Sequence, residues 1–332
     1  MMFYALALSV SLAVWFLATL AAWLLGLPLR RILGTQVLTS RSLERSPAAM
    51  ADALFVLHTL PLSLALLFTF GVALPAFLRY EPHSTGEPLS SKLWILASAG
   101  ALLLAVMMVR GARTLWATAR VGKSWRANSR GEFKVEGVGA RVYCVENDSP
   151  LLAVTGIFRP RIFISREVLG LLSSGELRAA VAHEMHHSRR FDNLKQLLLK
   201  ITRPPRWLGG SRESSWILAS EVAADAGALA RGASALDLAS ALVKVAAIKR
   251  GPAFGDQIAA SHLLPDLSGS PLSARVLRLQ HVLEGHPDCR QSEAVRKPWS
   301  TILFVALPVL LYIAGVSAVL PAVHEALELL VR

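Results

Sequence analysis

The stretch Ala182-His183-Glu184-Met185-His186-His187 decides how the rest of the chain is read. In a helix, residues four apart share one face, so His183 and His187 direct their imidazoles at a single cation. Glu184, next along the turn, then reaches the attacking water as a general base. His186 forms a competing i, i+3 pair with His183, but Glu184 is badly placed for that arrangement. His186 is therefore read as lying behind the ligands or facing solvent. Upstream, Ser173 and Glu176 stand at capping-box spacing, with Leu177, Ala180, Val181 and Glu184 following on a helical period. One long helix is predicted from about Ser174 to about Lys200, ending before Pro204-Pro205.

A hydrolytic zinc site needs a third protein ligand and an open fourth position. Glu221 supplies it on the next predicted helix, about Glu213 to Ala230, reached through a Pro-Pro and Gly-Gly connection that lets the chain turn back. Asp225 follows one turn later, placed to accept a hydrogen bond from the other nitrogen of a ligating histidine. Two acids at this spacing are ordinarily a solvated face. Here Val222, Ala223, Ala224, Ala226, Gly227, Ala228 and Leu229 make the helix almost wholly apolar, so the acids are expected to be buried and to need partners or a metal.

Working outward, residues 141–165 turn strand-like: Val142 to Val145, Leu151 to Gly156 and Arg161 to Ser165 are short β-branched and aromatic runs separated by Asn147-Asp148-Ser149-Pro150 and Phe158-Arg159-Pro160. A small antiparallel sheet is predicted. Beyond the second helix come a third, Ala235 to Ile248, a Gly-, Pro- and Ser-rich loop over Gly251 to Pro271, and a short helix from Leu272 to Leu283.

The flanks are membrane-like. The chain has 332 residues, 53% hydrophobic and 17% charged, against about 25% charged in soluble domains. Four charge-free stretches approach or exceed the roughly 20 residues of a span: 3–25, 53–78, 93–109 and 301–323. His58, Pro61 and Pro75 predict a kink or a packed face in the second. No Lys or Arg precedes Arg30, so the first reads as a span and not a cleaved signal peptide. Arg30, Arg31, Arg41 and Arg45 follow span one, and 28 Lys and Arg lie between Arg110 and Ser300. This predicts a cytoplasmic domain between spans three and four, with both termini outside. The same reading assigns the net charge of +12 to topology and anionic headgroups; without a recognition motif, no direct nucleic-acid partner is expected. Cys144 and Cys289 read as reduced thiols.

Ala182 to His187, followed by Arg189-Arg190-Phe191-Asp192-Asn193 and by Glu221-Val222-Ala223-Ala224-Asp225, resembles the membrane metallopeptidases typified by the β-lactam-sensing antirepressor receptors of the BlaR/MecR type. Arg159 to Ser165 and Ser174 to Leu177 are similar to the same family, as is the four-span plan. The resemblance implies a polytopic α-helical membrane protein with a cytoplasmic α+β zincin-like domain of the gluzincin type over 110–300. It implies one Zn2+ held by His183, His187 and Glu221, Glu184 as catalytic base, and Asp225 behind a ligand. Leu151, Leu152, Ala153, Val154, Thr155 and Gly156 resemble the family's edge strand, which holds an extended substrate through its main chain. Arg275 resembles a late arginine that stabilises the transition state; the companion histidine is not at the matching place, and His262 is the nearest candidate. Those receptors carry an external penicillin-binding sensor after span four, whereas this chain ends nine residues beyond Val323, so a separate sensor or partner is expected. The implied activity is endoproteolysis in signalling at the bacterial-type inner membrane, on a repressor, another cytoplasmic or membrane protein, or the chain itself. Membrane-protein quality control and a non-catalytic signalling scaffold stand as alternatives.

Overall fold

The computed structural model describes residues 2–39, 46–81, 90–146, 152–205, 214–248, 260–262, 271–284 and 319–328. Three helical stretches in it are long and apolar enough to cross a membrane: Phe3–Gly26, Pro47–Tyr80 and Ser91–Ala127. The first lies within α1 (Met2–Thr39). The second comprises α2 (Pro47–Phe68), a π-helical turn (Thr69–Ala73) and α3 (Leu74–Tyr80). Pro75 lacks an N–H and its ring crowds the carbonyl four residues back, and the helix widens into the π turn just before it. The third is α4 (Ser91–Ala127), whose apolar part packs so closely on α1 that a Cβ at Gly100 would sit 2.3 Å from the Leu12 carbonyl oxygen. Most of the predicted fourth span lies outside the described residues. Residues 319–328 form a helix, numbered α11 here, whose Leu320 and Leu327 join Leu6, Val10, Phe77 and Leu93 in one buried cluster.

The segment after Arg110 is regular. α4 continues through Ala127, and β1 (Ser129–Lys134) pairs antiparallel with β2 (Arg141–Val145). β3 (Leu152–Thr155) and β4 (Arg161–Ser165) form a hairpin that enters the sheet with β4 beside β2. The wholly antiparallel sheet predicted above is thereby corrected. β2 and β4 run parallel, and the order is β1-β2-β4-β3-β5, with β5 spanning Ala260–His262 in the segment expected to be only loop.

Strand alternation gives the sheet two buried faces. Val142, Leu152, Val154, Ile162 and Ile164 pack toward α6 (Ser174–Arg189) and α9 (Ala235–Ile248), which contributes Leu238 and Leu242. Val145, Ala153 and Phe163 face the opposite way and are covered by Trp125, at the end of α4. Between β4 and α6 lies the short α5 (Arg166–Leu171). The predicted capping box forms at α6: Ser173 N–H donates to Glu176 Oε2 at 2.8 Å, and Glu176 N–H donates to Ser173 Oγ at 3.3 Å.

The single long helix is a second correction. α6 stops at Arg189, Phe191 adopts the left-handed conformation (φ 55°), and α7 (Asp192–Thr202) leaves in a new direction. The turn is held by what it presents, since Asp192 and Asn193 are buried and both bond to other elements. α8 (Ser214–Ala230) lies across α6, and α10 (Pro271–Leu283) closes the domain.

Candidate metal centre

The capping box starts α6 at a fixed residue, and ten positions on His183 and His187 emerge on the face turned toward α8. His183 Nε2 and His187 Nε2 lie 3.2 Å apart. Glu221, on α8, places Oε2 3.5 Å from the first and Oε1 3.5 Å from the second. A tetrahedral ion bound at about 2.0–2.1 Å separates its ligand atoms by roughly 3.3 Å, so the three groups fit one divalent cation. All three are buried, and together they form a group able to hold a metal.

Glu184 is fully buried beside them, and among the described residues neither of its carboxylate oxygens has a hydrogen-bond partner. Burial raises its pKa to about 7, against the pull of His183 and His187. A buried acid with both oxygens unpartnered is costly unless something else comes to meet it. At His183 burial opposes protonation, yet Asp225 and Glu221 together raise its pKa to about 9. Glu221 is held below its ordinary value: burial acts against this, and the charges of Arg275 and His187 outweigh it.

A family model described as BlaR1 peptidase M56 matches residues 13–264. The chain belongs to this peptidase family. No curated protein and no solved structure matches it. Membership of the M56 peptidases and the His-His-Glu group agree on a metallopeptidase, and the three apolar helices fit a membrane protein.

Behind the cluster each histidine has a carboxylate. His183 Nδ1 lies 2.9 Å from Asp225 Oδ1, and His187 Nδ1 donates to Asp192 Oδ2 at 2.8 Å. With the proton on Nδ1, a neutral His187 turns its free Nε2 lone pair toward the cluster. Sequence reasoning gave Asp192 no such role, although it lies in the Arg189 to Asn193 stretch that carries the family resemblance. Asn193, next along, donates from Nδ2 to the carbonyls of Val154 and Gly156 and ties this turn to β3.

His186 neither ligates nor faces solvent. It is buried against Gly227 of α8, and Arg231 Nη1 donates to its Nδ1 at 3.0 Å. Burial, with the nearby Arg190 and Arg231 charges, lowers its pKa to about 3.

Arg275 is also fully buried. Its Nε and Nη2 donate to the two oxygens of Asp225 at 2.8 and 2.7 Å, and Nη1 donates to Glu221 Oε2 at 2.8 Å. It thus ties Glu221 and Asp225 together within the buried cluster. The expected free edge is corrected. β3 is flanked by β4 and by β5, whose His262 stands opposite Ala153, so its outer main-chain groups already have partners. Leu151 lies outside the described residues.

Proposed function

We propose that this M56 peptidase is a membrane-embedded zinc endopeptidase that cleaves a cytoplasmic or membrane-associated protein in a signalling step. The observation that carries the reading is the convergence of His183, His187 and Glu221 on one point beside a Glu184 that has no hydrogen-bond partner among the described residues. When bound, zinc supplies Lewis acidity toward the scissile carbonyl and the attacking water. Glu184 takes the proton of that water and later passes it to the leaving amine; a pKa near neutrality suits both halves of the task. Asp225 and Asp192 orient the two imidazoles, and Arg275 fixes Asp225 and Glu221. The domain lies on the cytoplasmic side, supported by the Lys and Arg distribution.

Glu184→Gln keeps the shape and removes the base. Zinc content is expected to be unchanged, while cleavage of a casein-like or self-derived substrate falls by at least about 100-fold. Persistent cleavage in that variant refutes the assignment.

A further inference from the structure

On the side of the sheet away from the metal, the cytoplasmic extension of α4 and the β3–β4 hairpin enclose a cavity of about 320 Å3. The helix side presents Leu115, Gly122 and Arg126; the hairpin presents Thr155, Phe158, Arg159 and Arg161. Among the described residues no carboxylate lines it. Three arginines thus share one hollow with an apolar wall, a pairing that suits a molecule carrying both a negative charge and a hydrocarbon tail. At its wall Thr155 is 3% exposed, and among the described residues its Oγ1 has no hydrogen-bond partner. A buried hydroxyl so left unsatisfied, in the wall of a hollow that three cations share, suits a polar ligand atom.

The position in the chain says where that molecule comes from. The charge-free part of α4 ends at Val109, and at 1.5 Å per residue Leu115 lies about 9 Å beyond it, at the depth of the headgroups. The hairpin reaches the same level: Ile157 packs on Leu197 of α7, and Ile201 of α7 lies against Gly111 of α4. Phe158 at the hairpin tip is 76% exposed and Trp116 is 64% exposed, with Arg120 stacked on the Trp116 ring at 5.0 Å. Aromatic side chains and arginines in this arrangement mark a membrane–water boundary.

We propose that this cavity binds an anionic phospholipid, with its phosphate held by Arg126, Arg159, Arg161 and the Thr155 hydroxyl and its chains leaving past Leu115 and Phe158. The inference rests on α4 crossing the bilayer and is independent of the catalytic assignment.

The test uses the full chain, reconstituted with equal phosphatidylcholine and phosphatidylglycerol, extracted in neutral detergent and weighed by native mass spectrometry. Phosphatidylglycerol is expected to be retained at least about tenfold over phosphatidylcholine, given roughly fivefold per favourable cation. The enrichment should fall about tenfold or more in Arg126→Gln/Arg159→Gln. It should also fall in Gly122→Leu, which fills the cavity without changing charge: a Cβ there already meets Thr155 at 3.7 Å. Thr155→Val, nearly the same shape, should weaken retention even if the other variants fold poorly. Zinc content, read on the same samples, should not change. Equal retention of the two lipids overturns the proposal, as does enrichment that survives all three variants. Displacement of the lipid by inorganic phosphate at equal concentration overturns it in favour of a soluble-anion site. Enrichment without any zinc-dependent cleavage leaves the lipid site standing and removes the peptidase reading alone.

Discussion

At the metal cluster each histidine has a carboxylate behind it from a different element: Asp225 of α8 lies 2.9 Å from His183 Nδ1, and Asp192, the first residue of α7, is hydrogen-bonded to His187 Nδ1. An imidazole whose far nitrogen is bonded to a carboxylate is fixed in tautomer and orientation and binds metal more strongly. Asp192→Asn keeps the volume of the buried side chain and removes its charge. Zinc affinity, measured by competition with a chelator, should weaken by about 10- to 100-fold while the fold persists; an unchanged affinity would show that Asp192 only packs. The residues of the cluster differ in how readable they were. His183, Glu184 and His187 lie within one turn and a quarter of one helix, so helical period alone put them together. Glu221 and Asp225 stood out because two acids in a small-residue helix need partners. Asp192 could not be seen in this way, because its contact depends on Phe191 turning left-handed, and nothing in Arg189-Arg190-Phe191 forbids a continuing helix.

Among the elements, α6 is held at its start by Glu176, which accepts from Ser173 N–H, the Ser240 hydroxyl and Lys244. Burial acts against its ionisation, yet these donors lower its pKa from 4.5 to about 2. A carboxylate whose folded pKa is depressed adds stability above its unfolded value and loses it as pH falls through the window from 4.5 toward 2. Glu176→Gln retains the capping geometry without the charge. It should cost about 1–3 kcal/mol at neutral pH, read by denaturant unfolding in detergent, and the difference should shrink across that acidic window. Where α6 crosses α8, Gly227 leaves room for His186: a Cβ there would sit 1.9 Å from its Nδ1. Gly227→Ala therefore forces apart the two helices that carry His183, His187 and Glu221. A loss of about 1–3 kcal/mol is expected, accompanied by weaker zinc binding, whereas a neutral result in both measurements would contradict the tight packing. The capped start of α6 and both ends of Ala235–Ile248 were legible nearly to the residue, whereas the end of α6 was not. β1 and β5 were not. Ser129–Lys134 is exposed or half-exposed and lacks apolar alternation, and the three residues of β5 lie among Gly, Pro and Ser and are defined only by pairing with β3.

Across the whole molecule, the membrane helices touch the catalytic domain at several places among the described residues, and two of these lead toward the metal cluster. Near the start of α2, Asp52 Oδ1 accepts from Arg190 Nη2 and from Lys195 Nζ, both at 2.8 Å, and these two cations flank Asp192. A path of charged contacts thus runs from α2 to the residue that aims His187. Asp52 is half-exposed, so each pair is worth about 0.2–1 kcal/mol. Asp52→Ala should lower the turnover of the full chain by up to about fivefold with zinc content unchanged, and equal turnover would show the contact to be an anchor only. The second place is the sheet, which has Trp125 of α4 on one side and α6 with its histidines on the other. β3 belongs to both sides, since alternate residues of the same four-residue strand face the membrane helix and the catalytic helix. A molecule wedged beside α4 would therefore not compete with substrate for space. Its effect would travel through a strand displaced as a unit, so the kinetic mark of such an inhibitor is a depressed kcat at constant KM.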